Sequence, residues 1–284
     1  MAAITLGKKR SKLIADVFTH AFLILSGLII LVPVFWMLST SLKENSEVFL
    51  FPPKWLPSQL IWKNYPDALT FLPFGRYFLN TATITFAALA GQLLSSPLVA
   101  YAFARLKARG SNFMFMLVLS TMLLPSQVTM IPLFVLYRQF GWVDTYIPLI
   151  LPNFFGSAFY IFLLRQFILT IPPEMSDAAK IDGCGYFSTF ARIYLPLIKP
   201  ALATLAIFTF TGNWNDFMGP LIYLSSDAKW TLALGLSRFS GMYGRTPWNL
   251  LMAASLVTVL PCILLFFFAQ RYFIQGIVIT GVKG

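Results

Sequence analysis

The sequence predicts an all-α membrane protein with six transmembrane helices. Three observations predict it. Of the 284 residues, 58% are hydrophobic and only 11% are charged, well short of the roughly 25% charged residues of a soluble domain. A single globule could not hide so much apolar surface, 29 phenylalanines included, and exposed patches of that size aggregate. Six stretches also reach the ~20 mostly apolar residues that a helix rising about 1.5 Å per residue needs to cross about 30 Å of hydrocarbon. A soluble enzyme, a secreted disulfide scaffold and a disordered chain are thereby excluded. The two cysteines, Cys184 and Cys262, fit neither a disulfide framework nor a C-x-x-C metal pair.

The spans follow in order. The first, 17–38, is preceded by Lys8, Lys9, Arg10 and Lys12, as a signal peptide would be. Its apolar run of 22 residues is longer than a signal core, and Phe35-Trp36-Met37 leaves no small-x-small cleavage site, so it is expected to be retained. The second span, 79–104, carries Asn80, Thr81, Thr83, Thr85, Gln92, Ser95 and Ser96, and the third, 113–137, carries Ser120, Thr121, Ser126, Gln127 and Thr129. Small and hydroxylated residues let helices approach closely and bond to one another. The remaining spans are 146–167, 200–224 and 250–269. Pro97, Pro125, Pro132, Pro148 and Pro152 lie in or beside spans. Each removes a backbone hydrogen bond and leaves a carbonyl for a neighbour or a wet cavity to satisfy. Kinked helices with polar seams fit a bundle that moves or surrounds water.

Basic residues set the orientation. With a cytoplasmic amino terminus, the inside segments 1–16, 105–111, 165–199 and 270–284 hold thirteen Lys and Arg, and the outside segments 39–78, 138–146 and 225–249 hold eight. Both termini are therefore expected in the cytoplasm. The chain then divides into an amino-terminal segment 1–16, a six-helix domain 17–269 with a long loop at 170–200, and a tail 270–284. The net charge of +11 is explained by this topology and suits anionic headgroups, so no nucleic-acid partner is expected. No G-x-x-x-x-G-K-[ST] phosphate loop and no H-E-x-x-H occurs, and the single histidine, His20, lies on the first span. Ten scattered acids supply no acid–base or metal constellation. No catalytic or metal residue is expected.

The inside loop from Ile171 to Pro200 is the most informative segment. Pro172 and Pro173 suit a helix start, with Glu174, Ser176 and Asp177 in its first turn. Gly183 and Gly185 break that helix. Phe187, Phe190 and Ile193 recur at helical spacing in a second one, which Leu195-Pro196 is expected to end. A compact helix–turn–helix with a small-residue tip results. Asp177-Ala178-Ala179, Gly183, Ile193, Leu195 and Pro196 fall at the spacing E-A-A-x-x-x-G-x(9)-I-x-L-P, with Asp in place of Glu. This resembles the loop of membrane-spanning subunits of ATP-driven importers that use an external binding protein. The segments Ala100-Tyr-Ala-Phe-Ala-Arg105, 124–132, Leu164-Arg-Gln-Phe167, Trp214-Asn-Asp-Phe217 and 270–276 are similar to the carbohydrate branch, the maltose-type permeases.

The resemblance implies a type I ABC importer permease fold with a cytoplasmic coupling helix between the fourth and fifth spans. It implies that Asp177, Ala178, Ala179, Asp182, Gly183, Ile193, Leu195 and Pro196 form the surface seated on an ATPase subunit, with a weaker contact from the tail. It also implies a second homologous permease, two ATPase subunits that hold the ATP and magnesium, an extracytoplasmic solute-binding protein, and a sugar or oligosaccharide as cargo. The setting would be a bacterial or archaeal inner membrane, and no cofactor would sit on this chain.

Asp216 is the only acid inside an expected span, and such groups usually face a bundle interior or water. Asn213, Trp214 and Asn215 beside it supply amides and an aromatic face, the mixture that sugar recognition uses. By resemblance this stretch lies in the substrate pathway. The alternative is that these groups bond between spans and that Asp216 caps a helix. Trp230, Arg238, Tyr243, Arg245 and Trp248 in the last outside connection read as interfacial anchors before receptor contacts. An ion-coupled secondary transporter working through Asp216 is the rival function, and a membrane enzyme ranks third.

Overall fold

The computed structural model describes residues 2–240 and 246–281, with side chains from 14 to 240 and from 246 to 270. Among them, every regular element is helical. Four helices are long and apolar enough to span a bilayer, Ile14–Ser41, Phe74–Arg105, Ile147–Leu169 and Trp248–Gln270. Two more spans are bent pairs: Ser111–Leu123 with Ser126–Gln139, at 99°, and Tyr186–Leu197 with Lys199–Trp214, at 78°. Six crossings result when each pair is one span.

The bends have local causes. Pro125 interrupts the third span, and Leu124 before it is extended, as a residue preceding proline tends to be. The fourth span passes a 3-10 turn at Leu151–Phe155 and then Gly156, whose φ is +78°. The fifth departs from the expected unbroken 200–224. Its helix stops at Trp214, and a short helix, Met218–Tyr223, resumes after a break.

The chain forms two compact units, Met1–Leu72 with Phe239–Thr258 and Pro73–Arg238 with Val259–Gly284. In the first, the buried Asn64 amide donates to the carbonyls of Ser41, 2.9 Å, and Lys43, 2.8 Å, and its own oxygen accepts from Asn249 at 3.1 Å. One side chain thus closes the end of the first span against the loop that follows. Lys43 is fully buried, donates to the carbonyl of Lys54 and lies 4.2 Å from the Trp36 ring centroid.

The second unit is built around the second span. Thr81, Thr85, Ala88, Gln92 and Ser96 are buried along one face of it, at the i, i+3, i+4 spacing that helical neighbours share. Most of the polar seam read from the sequence in the second span therefore faces protein, while Thr83 is exposed. Lipid tails are as apolar as leucine, so close packing and interhelical hydrogen bonds hold such a bundle together. Ala100, Tyr101, Leu164, Ile168, Ile198 and Leu205 form a tight core at one end of it. The other end is fastened by polar contacts. Asn80 donates to the carbonyls of Ala228 and Trp230, Thr81 accepts from the backbone N–H of Leu232 at 2.8 Å, and the Tyr77 hydroxyl donates to Asp227 at 2.8 Å.

Tyr243 and Arg245, the side chains of the amino-terminal basic cluster and those beyond Gln270 lie outside the described residues. The backbone of the last helix runs to Gly281.

Candidate functional site

Three places carry the candidate residues: a knob between the fourth and fifth spans, a cavity beside Asp216, and a clamp at the end away from the knob.

The knob begins with the helix Glu174–Ile181. Gly183 then takes φ +77°, the left-handed region where a side chain is strained. Its N–H donates to Lys180 and that of Cys184 to Ala179, at 3.0 and 2.8 Å, the paired bonds that close a helix end in a Schellman motif. The chain returns through Tyr186–Leu197. Contrary to expectation, Leu195-Pro196 does not end this helix. A π-helical turn at Phe190–Tyr194 precedes the proline, and π geometry changes which carbonyls need a donor, so the helix runs on to its bend at Ile198.

Of the eight knob residues that resemblance singles out, Asp177, Ala178, Asp182, Gly183 and Pro196 are exposed. Asp177 pairs with Lys180 at 3.3 Å on the open surface, where such a pair adds little stability. Ile193 and Leu195 are half-buried. Ala179, at 3% exposure, belongs to the foot of the knob. The sequence reading missed the apolar tip, where Ile181, Tyr186 and Phe187 are 87%, 65% and 73% exposed. The available signal was three large apolar residues flanking two glycines in a polar loop. Tyr194 is fully buried, its ring centroid 5.1 Å from that of Tyr101 in a tilted pair, while its hydroxyl bonds Ser176.

The residues Asn213 to Asp216 diverge. Asn213 and Asn215 donate to the carbonyls of Thr209 and Thr211, one helical turn back. Trp214 is buried, stacked on Phe210 at 5.2 Å and edge-on to Phe78 at 5.5 Å. Asp216 accepts from the N–H of Gly219 at 3.1 Å and so caps the helix Met218–Tyr223. It alone of the four lines a cavity of about 480 Å³, shared with Ser126, Gln127, Thr129, Met130 and Tyr223. A Cβ at Gly219 would overlap the Asp216 carboxylate and come within 2.9 Å of the Leu149 side chain, so a larger residue there would push the carboxylate aside. The bend at Pro125 brings Ser126, Gln127 and Thr129 to the cavity; the sequence reading had assigned them to helix packing. Among the described residues that line it, none is basic.

At the opposite end, Asp144 holds two loops together. Its carboxylate accepts from the N–H groups of Ser225 and Ser226, at 3.0 and 2.9 Å, from the Ser226 hydroxyl and from Lys229 at 2.9 Å. Lys229 also donates to the Asp144 carbonyl. These donors, the Ser226 hydroxyl foremost, hold the Asp144 carboxyl well below the usual carboxylate range.

Comparison with known proteins finds relatives along most of the chain. Residues 94–279 match the family described as binding-protein-dependent transport system inner membrane component. The arabinooligosaccharides transport system permease protein AraQ of Halalkalibacterium halodurans is 38% identical over 87% of this chain and 86% of its own. The sn-glycerol-3-phosphate transport system permease protein UgpE of Yersinia pestis is 33% identical over 93% and 96%. A chain in the crystal structure of a bacterial ABC transporter that imports the acidic polysaccharide alginate superposes with a TM-score of 0.80, at 25% identity, over 93% of this chain and 98% of that one.

Proposed function

The chain belongs to the family of binding-protein-dependent transport system inner membrane components, and on that premise we propose how its parts are used. It is a transmembrane permease subunit of a binding-protein-dependent ABC importer. It forms half of a pathway, beside a homologous permease, for a neutral sugar or oligosaccharide delivered by a solute-binding protein. Two ATPase subunits hydrolyse the ATP, and this chain does no chemistry. Both termini and the knob face the cytoplasm.

The observation that carries the sugar reading is the 38% identity, along most of both chains, with an arabinooligosaccharide permease. The cavity supports it. Its amide, its hydroxyls and the carboxylate of Asp216 suit a hydroxyl-rich neutral solute, and a phosphate would meet a carboxylate with no cation on this lining. The knob supports the ATPase contact. Covering each of Ile181, Tyr186 and Phe187 would contribute about 1.5–3 kcal/mol, and the exposed Asp177, Ala178, Asp182 and Gly183 would border that contact.

Two measurements test the reading. A strain lacking this chain should lose uptake of labelled arabino-oligosaccharide and keep that of glycerol 3-phosphate; the reverse pattern would overturn the substrate class. Purification from membranes should bring down a second permease and an ATPase, whereas a secondary transporter would come alone.

A further inference from the structure

We propose that Arg105 is a positioning residue that fastens the knob to the second span, so that movement of the knob passes directly into that span as well as along the chain into the fifth. The proposal rests on the reading that the knob seats on an ATPase subunit.

Arg105 is the last residue of the second span. Its guanidinium donates through Nη2 to the carbonyl of Ile168, at 2.8 Å, and to that of Ile171. These carbonyls lie where the fourth span ends and the knob begins, at a helix terminus that carries partial negative charge; that of Ile168 also accepts from the N–H of Ile171 at 3.2 Å. The same guanidinium lies 5.3 Å from the ring centroid of the buried Tyr194. Tyr101, one turn before Arg105, packs against Tyr194 and, at 5.3 Å, against Phe190. Tyr194 in turn bonds Ser176. One cluster therefore joins the second span, the end of the fourth and both helices of the knob.

The surroundings make it stiff. Ile168, Ile198 and Leu164 beside it are fully buried, and close-packed interiors transmit displacement without absorbing it. Arginine suits the place for a stated reason. Its planar guanidinium can turn both N–H groups of one nitrogen to two carbonyls while lying against a ring, whereas lysine offers a point charge on a flexible stem. The sequence shows Arg105 only as the end of the Ala100–Arg105 motif, with no role attached.

The test uses the assembled importer in its membrane, with Arg105→Lys and, as the milder change, Tyr194→Phe, which keeps the ring and removes only the bond to Ser176. Two reporters are read, with Cys184 and Cys262 replaced by serine. Asp182→Cys, on the knob surface, reports cross-linking to the ATPase. Gln127→Cys, on the cavity, reports the ATP-dependent change in maleimide labelling. Arg105→Lys should leave the cross-link and ATP hydrolysis in place while the labelling change per ATP falls roughly tenfold. Tyr194→Phe should lower it by a smaller factor. A labelling change equal to wild type in Arg105→Lys would overturn the proposal. So would loss of assembly in both variants, which would assign the cluster to folding alone. A wild-type knob that cross-links to no ATPase would defeat the underlying reading, and the proposal with it.

Discussion

Replacing Gly183 in turn by asparagine, alanine and aspartate separates the knob's backbone geometry from the chemistry of its surface. A Cβ at this position meets nothing within 4 Å, so no substitution is crowded. The backbone, at φ +77°, penalises alanine by about 1–2 kcal/mol, and asparagine and aspartate by less because they visit the left-handed region more readily. Asparagine should therefore transport close to the wild-type rate. Alanine should raise amide exchange at Cys184 and lower uptake less than tenfold. Aspartate has the backbone tolerance of asparagine, but it sets a carboxylate beside Asp182 in a surface that the proposed ATPase contact would cover. A charge buried without a partner costs about 3–5 kcal/mol, so coupling should fall at least a hundredfold. The assay is receptor-stimulated ATP hydrolysis and uptake in reconstituted membranes, with insertion and pairing to the partner permease as controls. An aspartate variant that is fully active would refute the placing of Gly183 at a contact. Ala179→Asp would not serve, because Ala179 is buried in the foot of the knob and the change would unfold the knob itself.

Asp144→Asn should weaken the clamp by about 1–3 kcal/mol, read as at least several-fold faster exchange of the Ser225 and Ser226 amides. For wild type, the Asp144 carboxyl lies below its ordinary range. Its contribution is therefore complete above the unfolded carboxylate pKa of about 3.9 and is lost only as pH falls through the depressed value. Protection at Ser225 and Ser226, corrected for intrinsic exchange, should stay level from about pH 5 to about pH 8, and a decline within that window would refute the clamp. Asp216→Asn keeps the acceptor for Gly219, while Asp216→Ala loses a cap of about 1 kcal/mol. Contact with the solute requires an altered KM in the Asn variant, and unchanged uptake kinetics in both variants would leave only the cap. Gly219→Ala should displace the Asp216 carboxylate and raise KM with little loss of assembled complex; wild-type kinetics would remove Asp216 from the pathway.

Much of the fold was legible because it rests on local composition. Apolar stretches of about 20 residues declare spans wherever lipid is the solvent, and the Pro125 bend follows from the extended backbone that the proline favours at Leu124. The knob was legible because its spacing is short and its glycines end helices by themselves. The break after Trp214 was less so: an apolar run with one acid reads equally as a helix or as a cap and a restart, and the bond from Gly219 to Asp216 decides between them. Trp214, an aromatic face in the sequence, is spoken for by Phe210 and Phe78 in the structure.

By itself the sequence determined that the chain lives in a bilayer, roughly where it crosses, and which loop stands out, since each of these depends on residues within about twenty positions of one another. Only the tertiary structure decided that Thr81, Thr85 and Gln92 face inward, that Ala179 and Tyr194 are the root of the knob while Ile181 and Phe187 are its tip, and that Asp144 meets Lys229, 85 residues away. The physical reason is that a polar side chain is stabilised by a partner or by burial against protein, but nothing in its neighbouring sequence says which distant segment will bring one.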